Sequence, residues 1–413
     1  MPSGVIQGFD VETGELRFAW DMMRPDRNGL PPEGETYTPG TPNMWTTATV
    51  DEALGLVYLP MGNSSADYWS SSRRPAENEY STALVALDVT TGKPRWHFQT
   101  VHKDVWDFDL GSQATLIDFP TGGGVVPALL LPTKQGDMYV FNRATGQLLH
   151  GVEERPVPTT GGTEQGERSP TQPFSLFATL RKPNLEERDM WGVSPIDQMF
   201  CRINFRKADY QGYYTPPSTN HYINYPGYNG GSDWGGVAVD PVRGVIVANY
   251  NDMPNYNRLV PREEANERGW FPRDDPRYIA QQQQASVRGG SLSKGEGAGD
   301  PQIGVPYAID VNAGPAVQGA SVRRHHRHRH AVRQDPVGPA VRHGAQERAV
   351  GHPLAPAAGD RHAEQRRLGG DGRRPDLHRR GDRRPDPRHR HRNRRDRLVR
   401  RPAGRRPGQS DDL

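Results

Sequence analysis

The chain has 413 residues, 33% hydrophobic and 24% charged, a length that accommodates two average domains or one long repeat-built unit. Its net charge of +3 hides an asymmetry: residues 321–413 carry 26 Arg, no Lys and 11 acidic residues, +15, which leaves −12 on residues 1–320. The acidic body argues against a nucleic-acid surface there. The longest apolar run, residues 125–131 broken by Pro127, is far shorter than the ~20 residues of a membrane helix. The single cysteine, Cys201, excludes an intrachain disulfide.

Taken in chain order, three segments repeat one pattern: Gly8-Phe9-Asp10-Val11-Glu12-Thr13-Gly14-Glu15-Leu16, Ala86-Leu87-Asp88-Val89-Thr90-Thr91-Gly92-Lys93 and Val140-Phe141-Asn142-Arg143-Ala144-Thr145-Gly146-Gln147. Each reads strand, turn, strand. The Asp or Asn caps the turn with its side chain, Thr-Gly supplies a left-handed position that only glycine reaches cheaply, and Trp20 and Trp96 close two of the hairpins. Their uneven spacing excludes a solenoid and suits propeller blades with insertions of different length. Further strand-like runs cover residues 46–50, 56–60, 128–131, 237–239 and 245–249, the last two joined by the turn Asp240-Pro241-Val242-Arg243-Gly244. Residues 155–257, rich in Pro, Tyr, Asn and Gly, read as long loops laid over one face, where such folds carry their chemistry. The expected class is all-β, a partial β-propeller over 1–314 followed by a disordered Arg-rich tail over 315–413.

The tail is a different kind of text. After Ser321 there is no Phe, Trp, Tyr, Ile, Met or Lys, so almost nothing can be buried. Arg-rich runs can bind nucleic acid through phosphates, but Arg without Lys resembles GC-rich DNA translated out of frame. Permitted codons for residues 333–340, read one nucleotide later, yield Gly-Lys-Thr-Leu-Trp-Asp-Arg-Pro, another Gly-Lys-x-x-Trp hairpin. A frameshift near residue 315 is the expectation.

The most specific segment is Thr100-Val101-His102-Lys103-Asp104-Val105-Trp106-Asp107-Phe108-Asp109. With Tyr58-Leu59-Pro60-Met61-Gly62-Asn63, Pro132-Thr133-Lys134-Gln135-Gly136, Pro2-Ser3-Gly4-Val5-Ile6-Gln7-Gly8-Phe9-Asp10, Thr215-Pro216-Pro217-Ser218 and Trp234-Gly235-Gly236, it resembles the membrane-bound glucose/quinate/shikimate branch of the pyrroloquinoline-quinone (PQQ) dehydrogenases. The resemblance implies a propeller enzyme using PQQ and calcium, a small-molecule alcohol as substrate, ubiquinone as electron acceptor and a site at the periplasmic face of the inner membrane. It also implies roles: Asp107 as catalytic base and calcium ligand, Asn63 as calcium ligand, Trp45 under the quinone ring, Lys134 as the cation touching it, and Asp233 and Asn249 as weaker cofactor positions. Asp233 departs from the Glu of glucose-oxidising relatives, which puts glucose in doubt as the substrate. Physically, hydride removal from an alcohol needs a carboxylate to take the hydroxyl proton, a Lewis acid at the acceptor carbonyl and a cradle for a flat tricarboxylate.

Each residue also has a plain reading: Asp107 a turn carboxylate, Asn63 a turn residue, Trp45 a core indole, Lys134 a solvated turn lysine, and His102 either an orienter of Asp107 or a packing residue. If Asp107 is not the base, Asp104 and Asp109 are next in line. Met1 stands directly before the Pro-Ser-Gly-Val motif with no secretory signal. The expectation is therefore an internal piece, inactive alone, whose membrane association lies in segments outside it. A non-catalytic propeller scaffold and a pseudogene product are the rivals.

Overall fold

The computed structural model describes residues 2–272, 275–287, 305–311 and 330–333. It opens on a hairpin of β1 (Ile6–Phe9) and β2 (Leu16–Trp20). A four-stranded antiparallel meander follows: β3 (Thr49–Asp51), β4 (Leu56–Pro60), β5 (Ala83–Asp88) and β6 (Pro94–Gln99), with helix α1 (Pro75–Tyr80) between β4 and β5. β7 (Thr115–Thr121), β8 (Gly124–Pro132) and β9 (Asp137–Asn142) repeat the meander. The next strands in sequence, β10 (Val152–Pro156) and β11 (Thr171–Ser175), pair with each other as a ribbon, and β12 (Ala178–Thr179) takes the place beside β9.

Beyond lie α2 (Pro195–Lys207), β13 (Tyr222–Asn224), β14 (Val237–Asp240), β15 (Val245–Ala248), β16 (Asn255–Pro261), α3 (Arg262–Glu267), α4 (Pro276–Val287), β17 (Tyr307–Val311) and β18 (His330–Arg333). They form two three-stranded sheets, β13-β16-β17 and β14-β15-β18. Residues 155–257 are thus not all loop: they hold α2 and several short strands. The sequence does announce α2, since Ser194 caps it through Asp197 N (3.1 Å) and Pro195 fills its first turn. Of the tail, His330–Arg333 pairs with β15. The rest of the segment expected to be disordered and out of frame lies outside the described residues.

The layers follow from strand alternation. On β8 and β9, Leu129, Leu131, Tyr139 and Phe141 face the β3–β6 sheet, where they meet Leu56, Tyr58, Leu84 and Ala86. Their neighbours Ala128, Leu130, Met138 and Val140 face the other way, onto Ile246, Ala248 and Tyr250. On β5 the alternate set Ala83, Val85 and Leu87 packs with Leu59, Met61, Trp20 and Met22. Strands buried on both faces lie between packed sheets, which is how a stack of blades makes its core.

The Thr-Gly turns join one sheet to the next. Trp96 of β6 lies on Gly146 of the following sheet, where an added Cβ would come within 2.6 Å of the indole. Phe18 of β2 lies in the same way on Gly92. In the first hairpin, then, Phe18 and not Trp20 makes this contact, while Trp20 is buried edge-on to Tyr80 at 5.1 Å. Gly14 has nothing within 4 Å of its would-be Cβ.

Candidate active site

Trp45 precedes β3, Asn63 follows β4, residues 100–112 follow β6, and Lys134 sits in the β8–β9 turn. Antiparallel pairing brings the ends of β4 and β6 to the same edge of their sheet, and the hydrogen bonds below bring the β8–β9 turn to it.

One carboxylate folds the loop after β6. Asp104, fully buried, accepts from Thr82 Oγ1 (2.7 Å), Trp106 N (2.9 Å) and Phe108 N (2.9 Å). Burial pushes its carboxyl up despite those donors. Trp106 anchors the loop by donating from its indole to Thr215 O (2.8 Å) and packing on Phe108 and Tyr214. Between these two buried aromatics Asp107 takes a left-handed conformation, φ 61°, strained for a residue with a side chain.

The Asp107 carboxylate meets Lys134 Nζ at 3.5 Å, and the Asp107 carbonyl accepts from the same ammonium at 3.0 Å. Lys134 reaches Asp109 Oδ2 at 3.4 Å and stands 5.2 Å from the centroid of the Trp45 ring. Asp109 Oδ2 also accepts from Trp45 Nε1 (3.1 Å), and its Oδ1 accepts from Asn63 N. The Asn63 side chain donates to the Asp104 carbonyl (3.1 Å) and the Asp67 carbonyl (3.3 Å).

Burial, together with Asp109 and Asp67, holds the Asp107 carboxyl well above the carboxylate range, with Lys134 only partly opposing. Burial works against the charge of Asp109 too, but Lys134, Asp107 and the Asn63 amide hold its carboxyl below the usual range. Lys134 loses hydration by burial, yet Asp107, Asp109 and Asp233 keep it protonated beyond its ordinary value. Burial and Asp107 push the Tyr68 phenol well up.

Asp233 completes one wall. Its backbone carbonyl accepts from Ser112 Oγ (2.8 Å), and Trp234 stands edge-on to Trp45 at 5.0 Å. Gly111 lies so close that a Cβ there would collide with Asp233 Oδ1 and the Trp45 ring, so this approach requires glycine. Among the described residues, Ser232 Oγ, Asp233 Oδ1 and Asn251 Oδ1 are buried without a hydrogen-bond partner. Ser232 and Asn251 adjoin the strap in which Gly231 N donates to Lys134 O and Asn251 N to Gly231 O, both at 2.6 Å.

Of the residues expected from sequence, Asp107, Lys134, Trp45 and Asn63 therefore share one hydrogen-bonded cluster, with Asp233 beside it. Asn249, just past β15, is exposed and is not brought in; Asn251 is the one that turns inward. His102 does not bond Asp107, since its ring nitrogens meet Gln99 Oε1 (2.8 Å) and Glu154 Oε1 (3.1 Å). Sequence reading missed Asp109 as the residue where the others meet. Its only signal was its place in the Trp106-Asp107-Phe108-Asp109 segment: with Asp107 at φ 61° the stretch is not extended, so no alternation rule brings the two side chains to one face.

These residues fit a flat, anionic, oxygen-rich group. They offer a buried cation beside an indole to receive such a group, with the Ser232 hydroxyl as a free donor nearby, whereas the unsatisfied Asp233 Oδ1 and Asn251 Oδ1 are acceptors and suit a hydroxyl or a cation. Calcium takes six to eight oxygen ligands, and among the described residues no group of three or more His, Cys, Asp or Glu is arranged to hold a metal. Asp107 offers carboxylate oxygens, whereas Asn63 Oδ1 already accepts from Ser64 N at 2.9 Å, so a calcium ion here would need most of its donors from elsewhere.

A family model described as the PQQ glucose/ethanol/alcohol dehydrogenase β-propeller domain matches residues 1–331. The glycerol dehydrogenase large subunit of Gluconobacter oxydans is 53% identical over 313 residues, 75% of this chain and 41% of that protein. The quinoprotein glucose dehydrogenase of Escherichia coli is 40% identical over 75% of this chain and 37% of its own length. The quinate/shikimate dehydrogenase (quinone) of Acinetobacter baylyi is 39% identical over 76% and 37%. The chain spans about two fifths of the length of these relatives.

Proposed function

The chain belongs to the PQQ-dependent dehydrogenase β-propeller family, and from that premise we propose that it carries the base and the ring-binding half of a site that oxidises a polyol or cyclic hydroxy acid. The observation that carries the reading is the convergence of Lys134, Trp45 and Asp107: one ammonium lies 3.5 Å from the Asp107 carboxylate and 5.2 Å from the indole centroid.

PQQ with calcium, when bound, supplies an electrophilic carbonyl that accepts the hydride. Asp107, whose carboxylate lies 3.5 Å from the Lys134 ammonium, would take the hydroxyl proton of the substrate. Lys134 holds an anionic ring edge and keeps Asp107 from drifting, and Trp45 supplies the flat apolar floor. When calcium is bound, Asp107 would contribute a carboxylate oxygen to it, and Asp233 and Asn251, as acceptors, would meet hydroxyl groups at the rim. Trp106 and Phe108, both buried with Tyr214, hold the loop that carries Asp107 in place.

An acyclic polyol suits the site better than glucose. Support comes from the 53% identity to a glycerol dehydrogenase against 40% to a glucose dehydrogenase, and from Asp233, one methylene shorter than Glu. Ubiquinone as acceptor and a place at the periplasmic membrane face belong to the same proposal. Among the described residues no helix is long and apolar enough to cross a membrane. The 315–413 segment belongs to that proposal as out-of-frame text, which the nucleotide sequence tests: a second frame encoding Gly-Lys-x-x-Trp hairpins is expected.

The functional test is a chimera in which the matching segment of the Gluconobacter glycerol dehydrogenase large subunit is replaced by this chain's. Glycerol oxidation that appears only when PQQ and calcium are added supports the reading. A folded chimera that binds no quinone sinks it.

A further inference from the structure

We propose that Asp109 is the positioning residue of this site, the group that sets the Trp45 indole, the Asn63 backbone and the Lys134 ammonium in one arrangement before any ligand arrives. The use of that arrangement rests on the quinone reading above; the hold itself does not. Three donors from three chain segments, 64, 46 and 25 residues distant in sequence, end on this one carboxylate. Asp109 Oδ2 takes Trp45 Nε1 and Lys134 Nζ, and Oδ1 takes the Asn63 amide.

A carboxylate offers about four lone-pair sites, so one committed to three donors is poorly placed to accept a substrate proton. That separates it from Asp107, whose carboxylate meets the same ammonium at 3.5 Å but is not joined by the Trp45 or Asn63 donors. The hold on Trp45 is directional. Stacking contacts alone let an indole slide, whereas a bond from its Nε1 fixes rotation of the ring plane. Gly62 and Gly111 permit the close fit: a Cβ on either would press on the same indole, at 3.0 Å from Nε1 and 2.8 Å from Cη2. Preorganised surfaces of this kind spare a ligand the cost of ordering the groups that receive it.

The experiment follows the indole proton of Trp45 in the full 413-residue chain without ligand, labelled with ¹⁵N-tryptophan. Eight tryptophans give at most eight indole signals, and Trp45→Phe identifies the one in question. Asp109→Asn places an NH₂ group against these donors, so exchange of the Trp45 indole proton should quicken by roughly tenfold or more, the loss of one charge-assisted hydrogen bond. The Trp106 indole, bonded to Thr215 O, should keep its rate, which separates local release from general loosening. Asp107→Asn should leave the Trp45 signal in place. Asp109→Glu retains the charge and should restore part of the protection, and it serves as the probe if the Asn variant does not fold.

In the chimera, PQQ affinity should fall roughly tenfold or more in Asp109→Asn. An unaltered Trp45 signal in Asp109→Asn overturns the proposal, and so does a released indole with unchanged quinone affinity. If the parental chimera binds no quinone, the functional reading falls while the indole result still decides whether Asp109 holds Trp45.

Discussion

The Thr-Gly hairpins and the 104–109 loop use the same chemistry and put it to different ends. Asp10 accepts from the backbone of Glu12 and Thr13, Asp88 from Thr90 and Thr91, and Asp104 from Trp106 and Phe108. In water the outcome is a low pKa: the Thr13 amide, Arg17 and the Glu12 amide hold Asp10 at about 2. Inside the protein burial outweighs the same kind of donors and the Asp104 carboxyl moves up. The hairpin aspartates shape turns that would exist with other capping residues. The buried one bends a loop so that its neighbours Asp107 and Asp109 face a lysine. Burial, more than residue type, decides which turn becomes a site.

The largest effect that could break this contrast is at Asp107. Asp107→Asn should lower kcat of the chimera by ~10²–10⁴-fold, the range of a general base, with melting temperature and quinone affinity near parental; a parental kcat would return Asp107 to the rank of a turn carboxylate. Next are the turns themselves. Gly146→Ala forces a Cβ into Trp96 at φ 75° and should cost about 2–4 kcal/mol in urea unfolding. Gly14→Ala, with open space at φ 73°, should cost only about 1 kcal/mol. Equal losses would mean that the Trp96 contact contributes nothing.

The smallest effect concerns acid. Because the folded pKa of Asp10 lies below its ordinary 3.8, the stability it adds is present above about pH 4 and is lost as pH falls toward about 2. Carboxyl NMR should find Asp10 ionised at pH 3, and a midpoint near 3.8 would contradict the turn geometry.

Much of the fold was legible because period-2 alternation and Asx-Thr-Gly turns are local signals. β4, β8, β14 and β15 lie where apolar runs and a Pro-Gly turn put them. Four site residues were legible through the flanking motifs, since Trp45, Asn63, Asp107 and Lys134 do meet in space. What escaped depends on geometry that no local pattern carries. Asp109 bonds partners up to 64 residues away, and it is Asn251, not the exposed Asn249, whose backbone joins the strap at Gly231. Phe18 rather than Trp20 lies on Gly92 because it is Phe18 that follows Asp10 by the eight residues that separate Trp96 from Asp88, with the same register shift in both hairpins. α2 hid in a Pro- and Tyr-rich stretch because one cap, Ser194-Pro195 with Asp197, stands among many turn-forming residues and the helix is polar on average.

The central claim is that the buried ammonium of Lys134 is there to receive an anionic ring, and an equilibrium titration of the chimera with PQQ at saturating calcium tests it most directly. Lys134→Ala should bind the quinone roughly 10- to 100-fold more weakly, the worth of one charge-assisted contact, with kcat recovering in part at high quinone concentration. An affinity within twofold of the parental value, in a variant that melts cooperatively, would contradict the claim and leave Lys134 as a counter-ion for Asp107 and Asp109 alone.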